Sequence, residues 1–175
     1  MNANSRSFAL PGLNDFPLTV IVLAVCVGVP FLIHLIPFSG SVPIGAKLLP
    51  MFYAPFVAMI LFRFKVAFVA AVLAPLVNYA LTGQPILEIT LLLSLELGLF
   101  SIFVYLLLQG SMLKWVAAPL AYLLAKLISS SVIGWFPIKM TSIDFWTSSV
   151  SNGLPGLIIL LSLNVLILKL WKSKD

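Results

Sequence analysis

Two ionisable side chains stand inside long apolar stretches of the sequence, and their type and position make them the first candidates for chemistry. Glu96 lies within the stretch Glu88–Leu108, and Lys126 lies within the stretch Trp115–Ser131. A charged group in such an apolar segment is costly, so it usually pairs with another charge or contacts a polar ligand. We therefore expect both side chains to face the interior of the fold, either as a mutual ion pair or as ligand-binding groups.

Three further side chains are candidates for contact with a polar ligand. Asn78, four residues before Thr82, is able to form a hydrogen bond either to a neighbouring helix or to a ligand, and both alternatives stay open. Asn152 suits the start of the last helix as a cap, and it would also face a molecule bound near that end. Trp146 belongs to the aromatic-rich segment Val132–Gly153. Such aromatic residues form either an interfacial belt or the wall of a ligand pocket.

Few other residues offer reactive chemistry. The sequence contains one histidine, His34, and one cysteine, Cys26, which is too few for a usual zinc site. The segment Gly40–Lys47 approximates a phosphate-binding loop, but Ala46 separates its last glycine from the lysine and no Ser or Thr follows. No Ser/His/Asp set stands out. We therefore expect no metal, no cofactor and no enzymatic activity.

The composition indicates the environment in which these residues act. The chain has 175 residues, of which 62% are hydrophobic and 9% are charged. An average soluble domain is about 45–50% apolar and about 25% charged, and a small soluble domain cannot hide so much apolar surface. The formal charge of +5 does not indicate a nucleic-acid partner, because the basic residues lie mostly at the ends of apolar stretches. The sequence therefore predicts an integral protein of a lipid bilayer.

The apolar stretches predict an all-α integral membrane fold. A helix that crosses a bilayer needs about 20 predominantly apolar residues. Six stretches of about this length occur: Pro17–Pro37, Ile44–Phe62, Phe64–Leu81, Glu88–Leu108, Trp115–Ser131 and Leu154–Trp171. We expect a single six-transmembrane-helix domain over residues 17–172. A short cytoplasmic segment, residues 1–16, would precede it, and a cytoplasmic tail, residues 173–175, would follow it.

The distribution of basic residues predicts the orientation of this bundle. An even number of spans places both termini on one side of the membrane. On that side lie Arg6, Arg63, Lys65, Lys114, Lys169, Lys172 and Lys174. The opposite loops hold Lys47 and Lys139. Because cytoplasmic loops carry an excess of Lys and Arg, both termini are predicted to be cytoplasmic, in a multi-pass protein of the cell's cytoplasmic membrane.

Several sequence motifs, taken in order, resemble the substrate-binding S components of energy-coupling factor (ECF) transporters. The segment Ala74–Pro85, followed by Leu95–Gly98, resembles their proline-containing third helix, the turn after it and the start of the fourth helix. Val42–Pro55 resembles the entry to their second helix, and Asn152–Lys169 resembles their final helix. Lys126 stands where related chains often carry Arg or Lys in the fifth helix. The resemblance covers roughly residues 20–172.

The resemblance implies a membrane-embedded, high-affinity binder of a vitamin or related micronutrient that has no ATPase of its own. It also implies a transmembrane T component and two cytoplasmic ATP-binding subunits as partners. We expect the ligand to bind near the outer surface, beneath the first loop (Phe38–Val42), the turn Thr82–Pro85 and the aromatic segment Val132–Gly153.

Five residues are the predicted pocket residues: Glu96, Asn78, Lys126, Asn152 and Trp146. Glu96 would accept hydrogen bonds or pair with a cation. Asn78 and Asn152 would form hydrogen bonds to polar ring edges, and Trp146 would stack on a ring. The competing hypothesis is a structural multi-spanning protein similar to the MreD-type subunits of the rod-shape machinery, in which Glu96 and Lys126 only pair with each other and no small molecule binds.

Overall fold

The long apolar stretches of the sequence fold as α-helices. The computed structural model describes residues 14–34, 44–136, 138 and 140–172, and within these ranges the chain is all-helical and has no strand. The helices are α1 (Asp15–His34), α2 (Ile44–Leu48), α3 (Pro50–Leu61), α4 (Phe64–Thr82), α5 (Leu87–Leu108), α6 (Ala117–Ser131), α7 (Ser142–Asn152) and α8 (Leu154–Lys172). The predicted all-α class is thus confirmed for the described residues. The first loop, Phe38–Val42, and the tail at 173–175 lie outside them.

Within the part of the chain that the structure describes, five helical stretches are long and apolar enough to cross a membrane. They are Asp15–Ile33, Ile44–Leu61, Phe64–Thr82, Leu87–Leu108 and Leu113–Ser131. The count rises to six if α7 and α8, which meet at a 61° bend, form one span. The fold is therefore that of a multi-pass membrane protein by helix length and composition. The six-span count and the side of the termini stay predictions.

The segment Val132–Gly153, which separates the last two predicted spans, contains the helix α7. Its start is capped by Thr141, whose Oγ1 accepts a hydrogen bond of 3.1 Å from the Asp144 backbone N–H. The helix ends at Asn152, so Asn152 belongs to α7 and does not cap the final helix. Pro155, in the first turn of α8, fits there because a helix start does not need its N–H.

The second predicted span is broken near its start. Leu49, between α2 and α3, has a positive φ of 53°, and Pro50 is the first residue of α3. The right-handed helical conformation is disfavoured for the residue before a proline, because the backbone of that residue clashes with the proline ring. Gly156 of α8 packs against this break, where an added Cβ would lie 2.6 Å from Leu49 Cγ and 2.7 Å from the Leu48 carbonyl oxygen. Helix α8 therefore contacts the break closely, and a glycine at position 156 leaves room for it.

Aromatic rings and small residues form the core of the bundle. The Phe52 ring meets the rings of Phe100 and Tyr122 edge-to-face, with centroid distances of 5.0 and 5.1 Å. Most alanines on α4 and α6 are fully or almost fully buried, which allows their helices to approach closely; they are Ala67, Ala70, Ala71, Ala74, Ala117, Ala118, Ala121 and Ala125. Buried Asn164 on α8 accepts a hydrogen bond from the Ala118 N–H at 3.1 Å and donates one to the Lys114 carbonyl oxygen at 2.8 Å.

Candidate functional site

A cavity of about 680 Å³ lies at the end of the bundle where α1, α4 and α6 end and α2 and α5 begin. Helix α7 closes one side of it. Most of its wall is apolar. The polar residues on the wall are Asn78, Thr82, Gln84, Lys126, Ser148, Ser149 and Asn152. Pockets for small molecules typically have volumes of about 300–1,000 Å³ and apolar walls with a few polar groups, so the cavity has the size and chemistry of a ligand site.

A buried ion pair stands at the wall of this cavity. Lys126 Nζ lies 2.8 Å from Glu96 Oε1, and the two side chains are 10% and 1% exposed. The Ser129 hydroxyl donates a second hydrogen bond, also of 2.8 Å, to the same carboxylate oxygen. The ion pair was one of the two alternatives expected for Glu96 and Lys126, and the structure confirms it. Lys126 lines the cavity, whereas Glu96 lies behind it.

Ser129 also belongs to this group, although it is not one of the residues predicted from the sequence. It lies one helical turn after Lys126 on α6, so the two side chains share a face and reach the same carboxylate. The feature of the sequence that could have indicated this hydroxyl is the run of serines, Ser129–Ser131, that follows Lys126. Glu96 Oε2 has no hydrogen-bond partner among the described residues. The carboxylate is thus anchored through one oxygen and retains unused acceptor capacity on the other.

Two aromatic rings flank the Lys126 ammonium. Its Nζ lies 4.9 Å from the centroid of the Phe145 ring and 6.0 Å from that of Tyr122. Both rings line the cavity, and a cation within about 6 Å of a ring centroid is attracted by the ring's π-electrons. The Tyr122 hydroxyl donates a hydrogen bond of 3.3 Å to the Ser149 carbonyl oxygen, which ties α6 to α7. This contact holds the helix that carries Phe145 against the ion pair.

The turn between α4 and α5 forms another part of the wall. The Asn78 amide nitrogen donates a hydrogen bond of 2.8 Å to the Gln84 carbonyl oxygen, and the Thr82 hydroxyl donates one of 2.7 Å to the Asn78 carbonyl oxygen. Gly83 has a φ of 68°, which glycine adopts without strain. Asn78 therefore holds the turn through its side-chain nitrogen, and it also lines the cavity.

Of the two neighbouring aromatic residues on α7, Phe145 lines the cavity, and Trp146 is not among the lining residues. The indole Nε1 of Trp146 is buried and has no hydrogen-bond partner among the described residues. Asn152, at the end of α7, does line the cavity. The cavity thus brings together three predicted residues, Asn78, Lys126 and Asn152, with Glu96 directly behind Lys126 and Trp146 beside the wall.

The chemistry available at this site is binding by hydrogen bonds, an ammonium and aromatic faces. No cluster of three or more His, Cys, Asp or Glu side chains that could hold a metal ion occurs within the ranges that the structure describes. Comparison of the chain with protein-family models, with curated proteins and with solved structures found no match.

Proposed function

We propose that the protein is the substrate-binding subunit of an ECF-type transporter and that it takes up a vitamin or related micronutrient. The observation that carries this proposal is the cavity of about 680 Å³. Its apolar wall would contact most of a vitamin-sized molecule, and Asn78, Lys126 and Asn152 would orient the polar edge of that molecule. A few polar groups on a mostly apolar surface are the usual basis of specificity in small-molecule sites.

The proposal places the cavity on the outer side of the cytoplasmic membrane. In this arrangement the chain crosses the membrane six times and both termini are cytoplasmic. Arg63 and Lys65 lie at the junction of α3 and α4, at the end of the bundle opposite the cavity. Their positive charges favour the cytoplasmic side. A ligand from outside the cell would then reach the cavity directly.

Transport energy would come from partner subunits. The proposed partners are a transmembrane T component and two cytoplasmic ATP-binding subunits, in keeping with the resemblance of the sequence to S components. Ala24 and Gly28 lie four residues apart on α1, and Ala24 is exposed on the surface of the bundle. Small residues at this spacing allow another transmembrane helix to approach closely. We therefore propose this surface of α1 as a contact for the T component.

The experiment that tests this proposal is purification of the protein in a mild detergent, followed by mass spectrometry of the small molecules it retains and of the proteins that accompany it. We expect one vitamin-sized compound in near-stoichiometric amount, together with ATP-binding subunits. The double variant Asn78→Ala/Asn152→Ala should lose the compound. Gln109→Ala, which removes an exposed amide at the far end of α5, is the matched control and should retain it.

A protein without a retained compound, accompanied by components of the rod-shape machinery, would contradict the proposal. That result would favour the MreD-type structural role, in which the Glu96–Lys126 pair serves the stability of the bundle alone.

A further inference from the structure

Among the residues that the structure describes, the charge on the cavity wall is positive. Lys126 is charged, and the other described polar residues of the wall are neutral amides and hydroxyls. An ammonium without a counterion in such a wall would attract anionic ligands strongly, because a poorly solvated charge is only weakly screened. The charge selectivity of the cavity therefore depends on what compensates Lys126.

Glu96 provides this compensation from outside the cavity. Its carboxylate lies 2.8 Å from the ammonium, is 1% exposed and is not part of the wall. A ligand anion near Lys126 would be attracted by the ammonium and repelled by the carboxylate behind it. The anion would still lose most of its hydration, and burial of a charge without a net opposite charge is costly. The pair therefore disfavours anionic ligands although a lysine lines the site.

Lys126 nevertheless keeps hydrogen-bonding capacity for a ligand. A lysine ammonium has three donors, and one of them is directed to Glu96 Oε1. A neutral carbonyl or ring nitrogen loses little hydration on entry and gains a charge-assisted hydrogen bond, which is stronger than a bond between two neutral groups. Phe145 and Tyr122 beside the ammonium offer ring faces for the rest of such a molecule.

We infer that the cavity selects a ligand without net charge that presents a hydrogen-bond acceptor to Lys126, and that Glu96 sets this selectivity without touching the ligand. The ligand class is that of carboxamides, lactams and uncharged heterocycles, as opposed to carboxylates, phosphates and organic cations. This inference rests on the proposed function, because it requires a small molecule in the cavity, and it narrows the class of that molecule.

The test uses pairs of compounds that differ only by a carboxamide in place of a carboxylate: nicotinamide and nicotinate, biotinamide and biotin, and lipoamide and lipoate. Their binding is measured on the full chain in phosphatidylcholine nanodiscs. Wild-type protein should bind the carboxamide of a pair at least about ten-fold more tightly, equivalent to about 1.4 kcal/mol. Glu96→Gln should lower this preference by at least about ten-fold, because it leaves the ammonium uncompensated.

Two further variants allow the inference to be tested even if the Glu96→Gln variant does not fold. Asn152→Lys adds a positive charge to the wall and leaves the buried pair intact, so it should shift the preference towards carboxylates in the same way. Glu88→Gln is the matched control. It removes a carboxylate in the first turn of α5 that does not line the cavity, and it should leave the preference unchanged.

Tighter binding of the carboxylates by wild-type protein, or an unchanged preference in both Glu96→Gln and Asn152→Lys, would overturn the inference and leave the proposed function standing. If none of the probe compounds binds, the inference is tested by the net charge of the compound that co-purifies with the protein. A compound without net charge supports the inference, and a charged compound overturns it. A protein that retains no small molecule contradicts the inference and the proposed function together.

Discussion

Loss of the Lys126 ammonium should destabilise the bundle more than any loss of surface charge. Lys126→Met leaves the Glu96 carboxylate buried with one remaining hydrogen bond, from Ser129. At a separation of 2.8 Å and an effective dielectric constant of about 20, the attraction between the two charges is about 6 kcal/mol. Desolvation of the two groups offsets part of this. Removal of one partner from a buried pair typically costs about 3–5 kcal/mol, and we expect a loss in this range.

A double-mutant cycle separates this attraction from other effects of the substitutions. The double variant Glu96→Gln/Lys126→Met removes both charges, so it should lose less stability than Lys126→Met alone. We expect a coupling energy of at least about 2 kcal/mol between the two sites. The assay is reversible unfolding in mixed micelles of a mild detergent and dodecyl sulfate, with the helical content followed by circular dichroism.

The chain contains a matched control for this cycle. Arg63 and Asp15 form an ion pair of nearly the same length, 2.9 Å, but their side chains are 50% and 44% exposed. Exposed pairs contribute about 0.2–1 kcal/mol, so the cycle Asp15→Asn/Arg63→Gln should give a coupling energy below about 1 kcal/mol. If the buried pair shows no larger coupling energy than the exposed pair, burial does not strengthen the interaction and the reasoning is wrong.

Three other outcomes follow from the geometry. Asn164→Leu removes the side-chain partner of the Ala118 N–H and one of two hydrogen bonds to the Lys114 carbonyl oxygen, and it should cost about 1–3 kcal/mol in the same unfolding assay. Gly156→Ala places a Cβ 2.6 Å from a side-chain atom and should cost about 1–3 kcal/mol, whereas Gly28→Ala, with nothing within 4 Å, should not destabilise the protein. Phe145→Ala should weaken binding of the co-purified compound about ten-fold, and Trp146→Phe should change it less than about three-fold, as measured by titration calorimetry. Equal effects of the last two variants would show that Phe145 is not the ring that contacts the ligand.

The sequence predicted the elements of the fold that depend on composition alone. Long apolar stretches have few alternatives to helices at membrane depth, because every backbone group there must be satisfied internally. The interior position of Glu96 and Lys126 follows from the same cost, since a charge facing lipid would be expensive. Their direct contact, 30 residues apart in sequence, depends on how α5 and α6 pack, and the sequence left it as one of two alternatives.

Other parts of the site depend on tertiary contacts that the sequence does not display. Helix α7 is rich in Ser and Thr and lacks a long apolar stretch, so its helical character was not apparent. Neighbouring residues on a helix point in directions about 100° apart. Whether Phe145 or Trp146 faces the cavity is therefore decided by the contact of α7 with α6, including the hydrogen bond from Tyr122 to the Ser149 carbonyl oxygen.

The central claim, that the cavity holds a small molecule, is tested most directly by native mass spectrometry of the protein released from nanodiscs. We predict that wild-type protein carries one vitamin-sized molecule per chain. Ala46→Trp, which introduces a ring at an exposed position of the cavity wall, should carry none. Ala80→Trp, at an exposed position of α4 away from the wall, should keep the molecule. Wild-type protein that appears only at the mass of the bare chain, or an Ala46→Trp variant that binds as well as wild type, would contradict the account.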